Sequence, residues 1–160
     1  MSTKTPWLVT PAHPDDAPTL ARFNQLLALE TEGLHLDPAT VLSGVRHGLE
    51  RSPEARYLVV RETPAGPVLG QLMLTREWSD WRDGWVWWIQ SVYVEQTHRR
   101  KGIMRALFEA VMAMARDPGN GGGAVLVRLY VEEHNSPAQS FYGRIGMANE
   151  GYQVWAWKPR

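Results

Sequence analysis

The apolar positions along the chain change period several times, and each change marks an element. Residues 7 to 10 form a short β-prone run ended by Pro11 and Pro14. Asp15 or Asp16 can then cap a helix reaching about Glu30, because Leu20, Phe23, Leu26 and Leu27 fall on one helical face. Asp37-Pro38 joins a capping residue to a proline at the first helical position and predicts a second helix through Leu49. Two apolar runs, 57 to 62 and 68 to 77, flank Thr63-Pro64-Ala65-Gly66-Pro67 and read as an antiparallel hairpin. Residues 78 to 84 turn the chain into a strand over 85 to 94, dense in aromatic and β-branched side chains. Ile103, Leu107, Phe108, Val111 and Met112 restore helical spacing over about 101 to 116. A glycine-rich loop over 117 to 123, a strand over 124 to 131, a short helix opened by Asn135-Ser136-Pro137 and closed by Gly146, and a last strand over about 152 to 157 complete the pattern. The order β, αα, βββ, α, β, α, β predicts an α+β (mixed α/β) fold.

The turn between the 85 to 94 strand and the following helix carries the clearest chemistry. A helix start exposes N–H groups without intrahelical partners at the positive end of the macrodipole, so amides of Gly102, Ile103 and Met104 can hold phosphate oxygens. Gly102 permits close backbone approach, and Arg99, Arg100, Lys101 and Arg105 add charged donors nearby. Such a surface suits a diphosphate better than a single carboxylate. A phosphate-loop nucleotidase would need Lys and Ser or Thr after the glycine, where Ile103 and Met104 stand. The glycine pattern of a dinucleotide-binding dehydrogenase is missing as well.

Composition narrows the classes. A chain of 160 residues fits one domain over 1 to 160 and can bury a core without staples. Lys plus Arg (17) equals Asp plus Glu (17), so the basic run is local, which argues against nucleic acid as a partner. With no cysteine there is neither a disulfide framework nor a thiolate nucleophile. His13, His35, His47, His98 and His134 lack metal-site spacing, and no metal is expected. No apolar stretch approaches the ~20 residues of a membrane span, and residues 1 to 7 do not form a signal peptide, so a soluble cytoplasmic protein without membrane partners is expected.

Taken together, the element order, residues 92 to 105 and residues 135 to 146 resemble the GNAT superfamily of acyl-CoA-dependent N-acyltransferases over nearly the whole chain. The family's pyrophosphate pattern, Q/R-x-x-G-x-G/A, falls on Arg99, Gly102 and Met104, with Met104 a departure that bears on adenine-side contacts. The stretch from Asn135 through Ala138 to Tyr142 is similar to the family's N-x-x-A-x-x-x-Y block near the coenzyme thiol. The resemblance implies a central, mostly antiparallel, splayed sheet of six to seven strands with about four helices. It also implies acetyl-CoA as co-substrate, held by Val92, Tyr93 and Val94, by residues 99 to 105, and by Asn135, Ala138 and Tyr142. Residues 88 to 94 look most like the diamine and thialysine acetyltransferases. In the diamine enzymes an acidic residue is a proposed base at the position of Gln90, and glutamine cannot accept a proton at neutral pH, so that version of the mechanism does not transfer.

Acetyl transfer needs an uncharged amine, a polarised thioester carbonyl and a proton for the departing sulfur. A backbone N–H near Val92 is the candidate polarising donor, and Tyr142 the candidate acid; packing beside Phe141 is the plainer explanation of that tyrosine. Gln90 could orient the amine or a water through which Glu30 or Glu32 takes the proton, although Glu30-Thr31-Glu32 also fits a solvated helix end. Five of the 8 tryptophans lie between positions 78 and 88. Trp78, Trp81 or Trp88, with Asp80 and Asp83 nearby, could form an aromatic and acidic pocket for an alkylammonium group, or could be packing that includes a homodimer contact. Along a strand, Trp85 and Trp87 face one way while Trp88 and Gln90 face the other, so they cannot all share a wall. The expected activity is acetyl transfer to a small-molecule primary amine, polyamine-like or amino-acid-like. The alternatives are a protein or peptide N-acetyltransferase and a non-catalytic acyl-CoA sensor.

Overall fold

A computed structural model describes residues 7–119 and 122–159 of the chain, which divides into two compact units, Met1–Leu129 and Tyr130–Arg160. In the first unit, strands β1 (Leu8–Pro11), β2 (Ala55–Arg61), β3 (Gly70–Ser79), β4 (Gly84–Val94) and β5 (Leu126–Leu129) form one sheet in that order. The first three pairings are antiparallel, and β4 pairs with β5 in parallel. Helices α1 (Ala17–Glu32) and α2 (Pro38–Leu49) precede β2, and α3 (Ile103–Ala115) joins β4 to β5. Asp37 caps α2 by accepting the Thr40 N–H at 2.8 Å, with Pro38 at the first helical position, as the local pattern requires.

Strand alternation sorts side chains to two faces. Tyr57, Val59 and Tyr93 join Leu20, Phe23 and Val45 in the core beneath α1 and α2, where the Phe23 and Tyr93 rings lie 4.9 Å apart. Leu58, Val60, Leu72 and Ile89 belong to the other side, which α3 crosses with Ile103, Leu107, Phe108 and Val111 buried. Full burial of each such side chain is worth about 1.5–3 kcal/mol. The approach of α3 is close at one point: a Cβ on Gly70 would lie 2.9 Å from the Ile103 side chain. Gly70 thereby lets the first residue of α3 seat against β3 and β4.

The second unit contains α4 (Ser136–Arg144). Asn135 caps it by accepting the Ala138 N–H at 3.2 Å, and the Gln139 side chain ties it back to the Glu132 and Glu133 carbonyls. Gly146, at φ 91, follows the helix, and the Met147 N–H returns to the Tyr142 carbonyl.

Two expectations need correction. The sheet has five strands among the described residues, not six to seven, and residues 152 to 157 form no strand. Tyr152, Trp155 and Trp157 have strong β preference, yet they are 80–88% exposed and their segment adds no strand to the sheet. Preference marks a segment that fits a pleated surface; pairing makes the strand. The strand expected over 124 to 131 is likewise only four residues long. Among the described residues, no helix is long and apolar enough to cross a membrane.

Candidate active site

The site candidate in the first unit begins where β4 loses its neighbour. Pairing with β5 ends at Ile89↔Leu129, while β4 runs on to Val94. At its far end the Glu95 N–H donates to the Leu69 carbonyl. Antiparallel ladders alternate, so with Gly70↔Val94 and Leu72↔Val92 as partners the N–H and C=O of Val92 and Val94 turn away from β3, toward the open edge. Tyr93 has the opposite orientation and keeps its backbone in the β3 ladder. Of the three residues expected to meet the pantetheine arm, Val92 and Val94 therefore turn backbone groups away from β3, and the Val94 carbonyl among them is taken by Arg99.

The basic turn follows within eight residues. Residues Gln96–His98 make one 3-10 turn, Arg100 takes φ 63, and Gly102 takes φ 87 as the N-cap of α3. That left-handed value is costly for a residue with a Cβ, which is why a glycine stands there. No side chain caps α3; the Ala106 N–H makes the helix's first bond, to the Gly102 carbonyl. The amides of Ile103, Met104 and Arg105 thus open the helix without intrahelical acceptors. The Ile103 side chain is buried, so that residue can contribute only backbone, while Arg100, Lys101 and Arg105 are exposed around the same turn. Uncapped amides, a left-handed glycine and three exposed cations fit a diphosphate.

Arg99 differs from its basic neighbours. Its Nε donates to the Val94 carbonyl at 3.0 Å and an Nη donates to Glu30 at 2.6 Å, with the guanidinium 5.2 Å from the Tyr93 ring centre. Glu30 also accepts from the Tyr93 hydroxyl at 2.9 Å and from Gln96 at 3.4 Å. Burial pushes the Glu30 carboxyl up, but the bonds from Arg99 and Tyr93 outweigh it and hold the group below the usual carboxylate range. A carboxylate so occupied is a weak proton acceptor. From the other side, the Trp7 indole N–H donates to the Lys101 carbonyl at 2.9 Å.

Gln90 is the extra residue of a β-bulge, since Met73 pairs with Ser91 and Leu74 with Ile89. It is exposed, and its Nε2 donates to Thr75 Oγ1 at 2.7 Å. Trp88 lies on the same face and donates from its indole N–H to Glu77 at 3.2 Å. The aromatic residues do not gather into one wall. Trp78 sits on the opposite face, edge-on to Trp85 at 5.1 Å, with the Arg76 guanidinium 4.0 Å from the Trp85 ring. Trp81 and Asp80 belong to the exposed turn between β3 and β4, and Trp81 is 88% exposed. Glu32 ends α1 and is exposed. In the second unit, Tyr142 is on α4 with the Phe141 ring 5.7 Å away, and burial pushes its phenol up from 10.0. The Asn135 side chain serves as the cap of that helix, and Ala138 supplies the capped N–H.

Sequence reasoning missed Trp7 and the contacts that Glu30 makes with Tyr93, Gln96 and Arg99. The spacing of 69 residues between Glu30 and Arg99 leaves no local pattern from which their contact could be read.

The model of the Acetyltransferase (GNAT) family matches residues 20–147. A possible acetyltransferase from Clostridium difficile 630 is 37% identical, with a TM-score of 0.86 over 96% of this chain and 98% of that one. A ribosomal-protein-alanine N-acetyltransferase from Brucella melitensis biovar Abortus 2308 shares the fold at 17% identity, with a TM-score of 0.70 over 95% of this chain and 98% of that one. A transcriptional regulator from Bacillus halodurans C-125 shares it at 16% identity, with a TM-score of 0.76 over 95% and 99%.

Proposed function

The chain belongs to the GNAT family of acetyltransferases, and from that premise we propose that it transfers an acetyl group from acetyl-CoA directly to a primary amine of a small molecule, polyamine-like or amino-acid-like. The observation that carries this reading is the continuity of two features: the end of β4 that runs beyond its last β5 pair leads within eight residues to the uncapped start of α3. One stretch of chain thus offers an open strand edge for an amide-bearing arm and a donor cluster for a diphosphate. The resemblance of residues 88 to 94 to the diamine and thialysine enzymes supports a small amine as acceptor.

When bound, acetyl-CoA supplies an activated thioester; the rest falls to the protein. The Val92 N–H, turned to the open edge, polarises the thioester carbonyl. Gln90 spends its N–H on Thr75, which leaves its amide oxygen to accept a hydrogen bond from the amine and orient it. Glu32 is the better carboxylate to receive the amine proton through water, because Glu30 is occupied by Arg99 and Tyr93. Tyr142 holds a proton for the departing sulfur, and its raised pKa keeps that proton in place throughout the neutral range. No cysteine is present to carry an acyl-enzyme, which supports direct transfer.

The test is coenzyme release from acetyl-CoA in the presence of diamines, amino acids and alanine-terminated peptides. Turnover with small amines and little with peptides is the expected result, and the reverse ranking would make the protein a peptide acetyltransferase. Binding of acetyl-CoA with no turnover on any acceptor would favour a sensor. Replacing Tyr142 by Phe should lower kcat by about 10²-fold or more with coenzyme affinity unchanged, the scale of a lost general acid. Near-normal turnover in that variant removes Tyr142 from the mechanism.

A further inference from the structure

We propose that Glu30 is a positioning residue for the coenzyme loop, holding Arg99 and Tyr93 so that the amides opening α3 are aimed before the ligand arrives, and that Arg99 acts as the other end of this brace rather than as a phosphate ligand. The inference rests on the acetyl-CoA reading above and adds to it an assignment of these two side chains.

Its grounds are geometric. Glu30 sits near the end of α1, 63 residues before Tyr93 and 69 before Arg99, yet its carboxylate gathers the Tyr93 hydroxyl, the Gln96 amide and an Arg99 Nη. Those three donors span the end of β4, the 3-10 turn and the first residue of the loop. Arg99 closes the loop on itself by also donating from Nε to the Val94 carbonyl. Two of the guanidinium's fixed donor directions are thus committed within the protein, and its planar fork cannot turn outward without releasing both bonds. Immediately afterwards the backbone makes two left-handed steps, Arg100 at φ 63 and Gly102 at φ 87. A chain that reverses so tightly must be fixed at its entry if its N–H groups are to point one way. A loop ordered in advance loses less entropy when an anion arrives. As a partly exposed ion pair, Glu30–Arg99 contributes little to global stability, so its consequence belongs to binding.

The experiment is calorimetric titration of the whole chain with coenzyme A, run on wild type, Glu30→Gln, Arg99→Gln, Arg99→Lys and the Glu30→Gln/Arg99→Gln pair. Each single change should weaken binding by roughly three- to tenfold, and the double variant should be no worse than the weaker single one, because both remove the same brace. Arg99→Lys should behave like Arg99→Gln, since it keeps the charge and loses the fork. In steady-state assays Glu30→Gln should raise KM for acetyl-CoA by a larger factor than it lowers kcat. Wild-type affinity in Glu30→Gln, full rescue by Arg99→Lys, or multiplicative losses in the double variant would overturn the brace while leaving the acetyl-CoA reading intact. A wild-type protein that gives no heat with coenzyme A would fail the acetyl-CoA reading itself, before any variant is compared.

Discussion

Two stretches of the first unit, the loop over 99 to 105 and the hairpin tip over 78 to 85, are both crowded with residues that suggest a site, and they are held very differently. The loop is tied to α1 through Glu30, to β4 through the Val94 carbonyl and to the segment before β1 through Trp7. The tip has Trp78 leaning edge-on against Trp85 and Trp81 almost wholly in solvent. The density of aromatic and charged residues is similar, but side chains from α1 and from before β1 reach into the loop, whereas the tip's long-range tie is at its end, where the Val125 N–H donates to the Trp85 carbonyl at 2.9 Å. Preorganisation, rather than the number of reactive side chains, separates a binding element from a decorated turn.

The sharpest way to break that contrast is a change at Gly102. Valine at φ 87 is strained whatever the surrounding space, by about 1–2 kcal/mol or more for a β-branched residue, and it redirects the amides that open α3. Titration with coenzyme A should show affinity falling by more than about tenfold. Asp83 of the tip also has a left-handed backbone, φ 46, and Asp83→Gly should leave coenzyme affinity within about twofold. Equal affinity in Gly102→Val and wild type would mean that the helix start does not anchor the diphosphate.

Local signals carried much of the fold. Asp37-Pro38 marked the start of α2 because capping is a contact within four residues, and the hairpin of β2 and β3 followed from two apolar runs around Pro and Gly. Gly102 and the basic run were legible for the same reason: helix start, glycine and charges are all neighbours in sequence. Residues 152 to 157 were misread because a β-prone run reports preference and says nothing of a partner strand. For the acceptor pocket, strand register separates the candidates, with Trp78 and Trp88 on opposite faces and Trp81 in the turn. Glu30 was legible as a carboxylate at a helix end, but its partners arrive from 63 to 69 residues downstream, beyond the reach of any spacing rule.

A second, smaller effect concerns acid. Glu30 has its carboxyl held below the ordinary 4.5 in the folded protein, with burial opposing and the bonds from Arg99 and Tyr93 prevailing. A depressed folded pKa contributes stability that is fully present above the unfolded value and is lost as pH falls through the folded one. Denaturant midpoints for wild type and Glu30→Gln should therefore differ slightly at pH 7 and converge as pH falls from the ordinary 4.5 through the lower value of the folded protein. A gap that persists to the lowest pH would assign the Gln effect to something other than charge.

The smallest effect should come from Trp81, an almost fully exposed residue of the tip. An indole that is 88% exposed contributes almost no burial, so Trp81→Ala should change stability by no more than about 0.5 kcal/mol. On the view that the tip does not help to bind the acceptor, KM for the best amine in the panel should also remain within about twofold of wild type. A large rise in KM for cationic amines, with neutral amines unaffected, would reinstate the exposed indole as a cation-π contact. It would also show that an unbraced turn can become ordered around its substrate, which is the outcome most damaging to the contrast between loop and tip.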